Sequence, residues 1–243
     1  MAVYRILALA LISPFLLTAE ERVAEHNFHG WLAYFGDHPI AESKWGIHLE
    51  GQVRRHDVAA KWQQLLLRPG VNFQASKKVM LTAGYAFVRS NVYSEFAAPA
   101  PVSLEHRLWQ QAWIRYRTGR TSWSTRLRFE NRFLGAPDPR TGGTVYRFEN
   151  RFRAWQQIKV PLSQKTYFTA YDEFWFYVKP FQSNSVFDQN RAYVALGFEL
   201  KPSLRLEVGY MHQAILVRSG SRLEHNHTIV VSLFNTARLF SKQ

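Results

Sequence analysis

Between Trp45 and Val53 apolar and polar residues alternate without a slip. Trp45, Ile47, Leu49, Gly51 and Val53 fall on one face, and Gly46, His48, Glu50 and Gln52 on the other. A period of two is the mark of a strand with two unlike faces. The pattern returns in runs near 27–35, 43–56, 61–74, 77–90, 104–118, 121–134, 143–158, 164–178, 188–201, 203–217 and 222–236. Most runs have about 14 residues, whereas soluble strands average about 5–6 and a membrane crossing needs about 9–11.

The connections alternate too. Ala75-Ser76, Thr118 to Arg120 and Lys201 to Ser203 are short. Asn91 to Ser103, Gly135 to Gly143 and Lys179 to Phe187 are longer and contain Pro99, Pro101, Pro137, Pro139 and Pro180. Short turns on one side and long loops on the other are the asymmetry of outer-membrane barrels. The pattern predicts an all-β protein: a closed antiparallel transmembrane β-barrel of ten to twelve strands. The short first run is expected to be a partial strand or an entry segment, because single-chain bacterial barrels have even strand numbers.

The apolar faces are expected to meet lipid. Examples are Val79, Leu81, Ala83, Tyr85 and Phe87, and Ala192, Val194, Leu196, Phe198 and Leu200. Tyrosines and tryptophans near run ends are expected at the headgroup girdles. The opposite faces carry ions. An arginine facing acyl chains at mid-bilayer costs about 2–4 kcal/mol, so these faces must point inward. The expected lumen-lining set is Arg54, Arg107, Arg115, Arg126, Arg128, Glu130, Arg132, Arg147, Glu149, Arg151, Glu173, Arg191, Glu199, Arg205 and Glu207. It serves either as an anion path or as a structural ladder. Asn131, Asn150 and Asp172 break the rule by falling on lipid faces. Protruding strand ends or a phase-switching bulge would account for them.

The hexapeptide Arg-Phe-Glu-Asn-Arg-Phe occurs at 128–133 and again at 147–152, on either side of one Pro/Gly loop. Antiparallel pairing in the register that sets Glu130 against Arg151 also sets Arg132 against Glu149. The neighbouring register would oppose Glu130 to Glu149, which is unfavourable.

The chain has 243 residues, a formal charge of +13 and no cysteine, with 31 basic and 18 acidic residues. The sequence pI is near 10.1 and the mean hydropathy is −0.27. That length suits one barrel. A low mean hydropathy is compatible with spanning, since only alternate side chains of a strand see lipid. The cations lie inside the alternating runs rather than in a tail or patch, which argues against nucleic acid. Without cysteine there is neither a disulfide framework nor thiol chemistry. Met1 to Arg5, the apolar stretch Ile6 to Leu17 and small Thr18 and Ala19 read as a signal peptide over 1–19, with the barrel domain over 20–243.

Chemistry is sparse. His225 and His227 share a strand face, and His106 adjoins Glu105. No third ligand or nucleophile is fixed by spacing, and no phosphate loop, zinc-protease or serine-elbow motif occurs. The expectation is a non-enzyme with no catalytic residue, metal or cofactor. Its home would be the bacterial outer membrane, and its activity that of a narrow anion-biased channel or a structural barrel. An outer-membrane lipid hydrolase and a scaffold binding lipid or a partner are the alternatives. Expected partners are outer-membrane lipids including lipopolysaccharide and the barrel-insertion machinery, read through a terminal aromatic at Phe240 or Phe234. Oligomeric state is left open.

Several segments together resemble a known family. They are Trp45-Gly46 opening a strand that ends Glu50 to Arg54, Glu105 to Gln111, Arg147 to Phe152, Asp188 to Arg191, and Leu206 to Tyr210. The order is similar to that of the bacterial family termed domain of unknown function 2490, from about Trp31 onward. The resemblance implies an outer-membrane-type barrel without a settled activity, and it brings no catalytic residues.

Overall fold

The computed structural model describes residues 23–92, 102–138, 140–179, 185–217 and 220–240. The segment 1–19 expected to be a signal peptide and Pro99, Pro101, Pro139 and Pro180 lie outside the described residues. Eleven strands follow one another: β1 (Val23–Pro39), β2 (Trp45–His56), β3 (Lys61–Gln74), β4 (Val79–Asn91), β5 (Val102–Thr118), β6 (Thr121–Pro137), β7 (Thr144–Pro161), β8 (Thr166–Val178), β9 (Phe187–Lys201), β10 (Leu204–Leu216) and β11 (Arg222–Asn235). Each pairs with its sequence neighbours, and β1 pairs with β11 to close the barrel. Closure leaves no unpaired edge, the condition for a sheet to sit in hydrocarbon.

The first run is a full strand of 17 residues, not a partial one. Eleven is odd, so the closing strands run the same way: Trp31 lies beside Val230 and Leu32 beside Val231 in a parallel pair. Every other pair is antiparallel. Odd strand number therefore places Val23 and Asn235 at opposite ends of the barrel. The turns after β1, β3, β5, β7 and β9 share the end of Asn235. The connections after β2, β4, β6, β8 and β10 share the end of Val23, and those after β4, β6 and β8 are longer than any turn at the other end. In the turn between β5 and β6, Gly119 has φ +58°, a left-handed conformation that glycine adopts without steric cost.

Burial is inverted relative to a soluble sheet. Leu32, Val71, Leu108 and Ile229 are 53–61% exposed, whereas Glu130 is fully buried and Arg128 is 2% exposed. The outward polar residues need no phase-switching bulge. Asn131 and Asn150 face each other in an unbroken β6–β7 register, and the Asn131 amide donates to Asn150 Oδ1 at 2.8 Å. Asp172 lies mid-strand in β8, where Asn190 Nδ2 donates to its Oδ1 at 2.5 Å. Thr125 Oγ1 donates to Gln156 Oε1 at 2.5 Å. Cross-strand partners satisfy these groups locally, so no change of phase is required.

Bulges occur elsewhere. One interrupts β2–β3 between Arg54 and Arg55, and one interrupts β8–β9 between Trp175 and Phe176. The first turns both Gln63 and Gln64 to the lumen, and the second does the same for Asp188 and Gln189.

Candidate functional site in the lumen

Alternation fixes which side chains enter the barrel, and register fixes which of them meet. Glu130 is opposite Arg151 and Arg132 is opposite Glu149, as the repeated hexapeptide predicts. Arg151 donates from Nε at 2.9 Å and from Nη2 at 2.6 Å to Glu130 Oε2. The structure adds what pairing alone omits. Glu130 Oε1 also accepts from Arg153 Nη1 at 3.0 Å and from Arg68 Nη2 at 3.5 Å, and Arg107 Nη1 lies 3.9 Å away. One buried carboxylate is thus the hub for arginines of β3, β5 and β7.

Smaller hubs surround it. Glu105 accepts from Arg107 Nε at 2.7 Å and Arg132 Nε at 2.5 Å. Glu173 Oε1 accepts from Arg126 Nη2 at 2.5 Å and Arg153 Nε at 2.9 Å. Glu149 lies 3.5 Å from Arg132 and 3.3 Å from Arg147. Glu50 on β2 accepts from Arg68 Nη1 at 2.8 Å and lies 4.0 Å from Arg128 on β6. The Glu50–Arg128 and Arg68–Glu130 contacts join strands that are not neighbours, so they brace the barrel across its interior.

Aromatic rings cover the guanidinium faces. Trp175 carries Arg153 at 3.7 Å, with Arg151 and Arg191 each at 4.2 Å. Trp31 carries Arg54 at 3.9 Å, and Trp109 carries Arg128 at 4.9 Å. Planar, weakly hydrated guanidinium groups tolerate such stacking far better than ammonium groups do. Trp109 has its space because Gly70 and Gly84 lie beneath it. A Cβ on Gly70 would approach the indole to 3.0 Å, and one on Gly84 would overlap the β3 backbone.

A cavity of about 930 Å³ runs through this interior, touching residues near both ends, from Val217 and Asn91 to Lys159 and Phe234. Arg54, Arg107, Arg115, Arg126, Arg128, Arg132, Arg147, Arg151, Glu173, Arg191, Glu199, Arg205 and Glu207 all line it, while Glu130 and Glu149 lie buried behind the lining. Twelve arginines and Lys159 face eight carboxylates in that lining.

Sequence reasoning missed several members. Arg68 follows Leu65-Leu66-Leu67 and precedes Pro69, which hides the alternation, although it is in phase with Gln64 and Asn72. Asp188 enters only through the β8–β9 bulge, where it meets Arg151 Nη1 at 3.2 Å and Tyr177 Oη at 3.2 Å. Trp109 and Trp113 turn inward with Arg107 and Arg115, as their shared phase predicts, and Trp31, Trp155 and Trp175 turn inward too. Phe234 lines the lumen as well, so it cannot present an outward terminal aromatic, whereas Phe240 lies exposed beyond β11.

The histidines divide by face. His48 is inward, with Nδ1 2.8 Å from Asp37 Oδ1. His225 and His227 are outward, in hydrogen-bonded pairs with His212 at 3.1 Å and His26 at 3.2 Å. His106 is outward between Tyr85 and Tyr146. Among the described residues no three histidine, aspartate or glutamate side chains form a group able to hold a metal ion.

The strands thus close into a barrel around a charged, braced lumen. In agreement, the fold matches the solved NanC porin with a TM-score of 0.51, over 85% of this chain and 97% of that one, at 8% identity. Residues 28–224 match the family described as Protein of unknown function (DUF2490), and the chain belongs to that family. An uncharacterized protein of Methylorubrum extorquens (strain AM1) is 25% identical over 193 residues, 76% of this chain and 78% of the relative.

Proposed function

We propose that the protein is a non-enzymatic barrel of the bacterial outer membrane that passes small anions through an arginine-rich lumen. The observation that carries this reading is the excess of cations over carboxylates around one cavity touching both halves of the barrel. Rings of fixed positive charge favour anions in a narrow pore. Arg115 and Arg205 strengthen the bias, since among the described residues neither forms an ion pair with a carboxylate.

The outer surface supports the membrane setting. Leu32, Leu67, Val71, Leu108, Phe148, Leu196 and Ile229 expose apolar area on strands all around the barrel. Soluble monomers rarely expose contiguous apolar patches beyond a few hundred square ångströms, and a bilayer covers a belt of this kind. Outer-membrane lipids, lipopolysaccharide included, and the barrel-insertion machinery are the partners this setting entails.

The test is planar-bilayer recording of the purified protein under a potassium chloride gradient. A reversal potential on the chloride side is expected. Silence would favour the second reading, a structural barrel, for which the braces from Arg68 and Arg128 across the lumen speak. Cation preference would overturn the anion reading.

A further inference from the structure

Four aromatic rings from four strands lie side by side along the lumen wall. Trp113 on β5 meets Trp155 on β7 edge to face, with centroids 4.9 Å apart. Trp155 lies 5.3 Å from Tyr171 on β8, which stacks on Tyr193 of β9 at 4.7 Å. All four line the cavity. The far end of the row is seated on a glycine: a Cβ on Gly209 would come within 2.8 Å of the Tyr193 ring.

Packing accounts for contacts between rings but not for the polar atoms left over. Trp113 Nε1, Arg126 Nε and Tyr193 Oη are buried without a hydrogen-bond partner. The Arg126 guanidinium lies 5.3 Å from both indoles, and Arg115 lies 5.3 Å from Trp113. Two of the three orphan atoms are obligate donors: Trp113 Nε1, whose ring adjoins both arginines, and Arg126 Nε itself. A water can serve such donors singly. An oxyanion can serve several at once and offset the charge of Arg115, whereas Arg126 already shares Glu173.

The geometry points to a binding site for anions that carry a ring. The ring lies along Trp155 and Tyr171, and its carboxylate or phosphate reaches Trp113 Nε1, Arg126 Nε and Arg115. This deepens the anion-path reading and rests on it. Aromatic and saturated rings share the required chemistry, a flat or apolar face beside a negative group.

The experiment is calorimetric titration of the full barrel in detergent micelles with benzoate, cyclohexanecarboxylate and acetate. Both ring acids are expected to bind about tenfold more tightly than acetate, the size of one good aromatic contact. Benzoate exceeding cyclohexanecarboxylate would assign aromatic solutes, and equality would assign saturated rings. In Trp155→Ala, and in the milder Trp155→Leu should the first fail to fold, the ring preference is lost, both ring acids falling to the affinity of acetate. Arg126→Gln weakens all three acids. Equal binding of the three, no binding of any, or a ring preference that survives both tryptophan substitutions would overturn the site. Chloride current recorded in parallel separates the two readings. Current without ring preference removes this site alone, and ring binding without current removes the channel alone.

Discussion

The wall formed by β5 to β9 and the seam formed by β10, β11 and β1 are pleated alike, yet they hold different interiors. On the wall, Arg107, Arg128, Arg132, Arg151 and Arg153 converge on Glu105 and Glu130. At mid-height on the seam, Trp31, Met211 and Val230 pack with Tyr193 and Ala195, and His29 meets Asn226 at 2.9 Å. The wall is ordered by directed, charge-assisted bonds. The seam, where β1 and β11 run parallel, is ordered by apolar packing and neutral amides. A paired buried charge adds little net stability over an apolar isostere, but an abandoned one costs a great deal. The two regions should therefore respond to substitution very differently.

The largest effect is expected at the hub. Glu130→Gln leaves Arg151 and Arg153 without their shared charge and should cost about 3–5 kcal/mol, read by urea unfolding in micelles. Next comes the reciprocal swap Glu130→Arg with Arg151→Glu. Pairing considered alone predicts full recovery relative to either single change. Because Arg153, Arg68 and Arg107 also face position 130, only partial recovery is expected, with a coupling of about 0.5–3 kcal/mol. Full recovery would reduce the hub to an isolated pair.

On the seam, Asn226→Ala removes the partner of His29 and should cost about 1 kcal/mol by the same unfolding measurement. A loss as large as that of Glu130→Gln would erase the contrast between the regions. Arg115→Gln should shift stability by less than about 0.5 kcal/mol, since no carboxylate is left behind. Its effect belongs to the reversal potential, which should move toward zero. Finally, Leu32→Cys with Val231→Cys should cross-link on mild oxidation without altering the fold, because these residues are partners in the parallel closure. Failure of that pair, with cross-linking of Leu32→Cys to another β11 position, would reject the register.

Much of this was legible from alternation. Ten of the eleven strands begin and end within three residues of the runs read from sequence, as β3 over 61–74 illustrates. The longer β1 explains the remaining difference. A strand with an apolar outer face and a polar inner face writes its period directly into the chain. The hexapeptide register was legible for a similar reason, since like charges directly opposite each other exclude the neighbouring alignment. Asp188 was not legible, because a bulge changes phase without changing composition. The inward turn of Trp155 and Trp175 follows from their phase with Arg153 and Glu173, but which arginines stack on them was not legible.

The chain by itself determined a barrel, its two faces and the neighbours along it, all consequences of a local period of two and of short connections. Tertiary structure decided the parallel closure of β1 on β11, the bridging of Arg68 and Arg128 to opposite strands, and the convergence of several guanidinium groups on Glu130. Those depend on curvature and on the number of strands around the ring. Which side chains meet across a lumen is set by its diameter, a property of the closed sheet rather than of any strand within it.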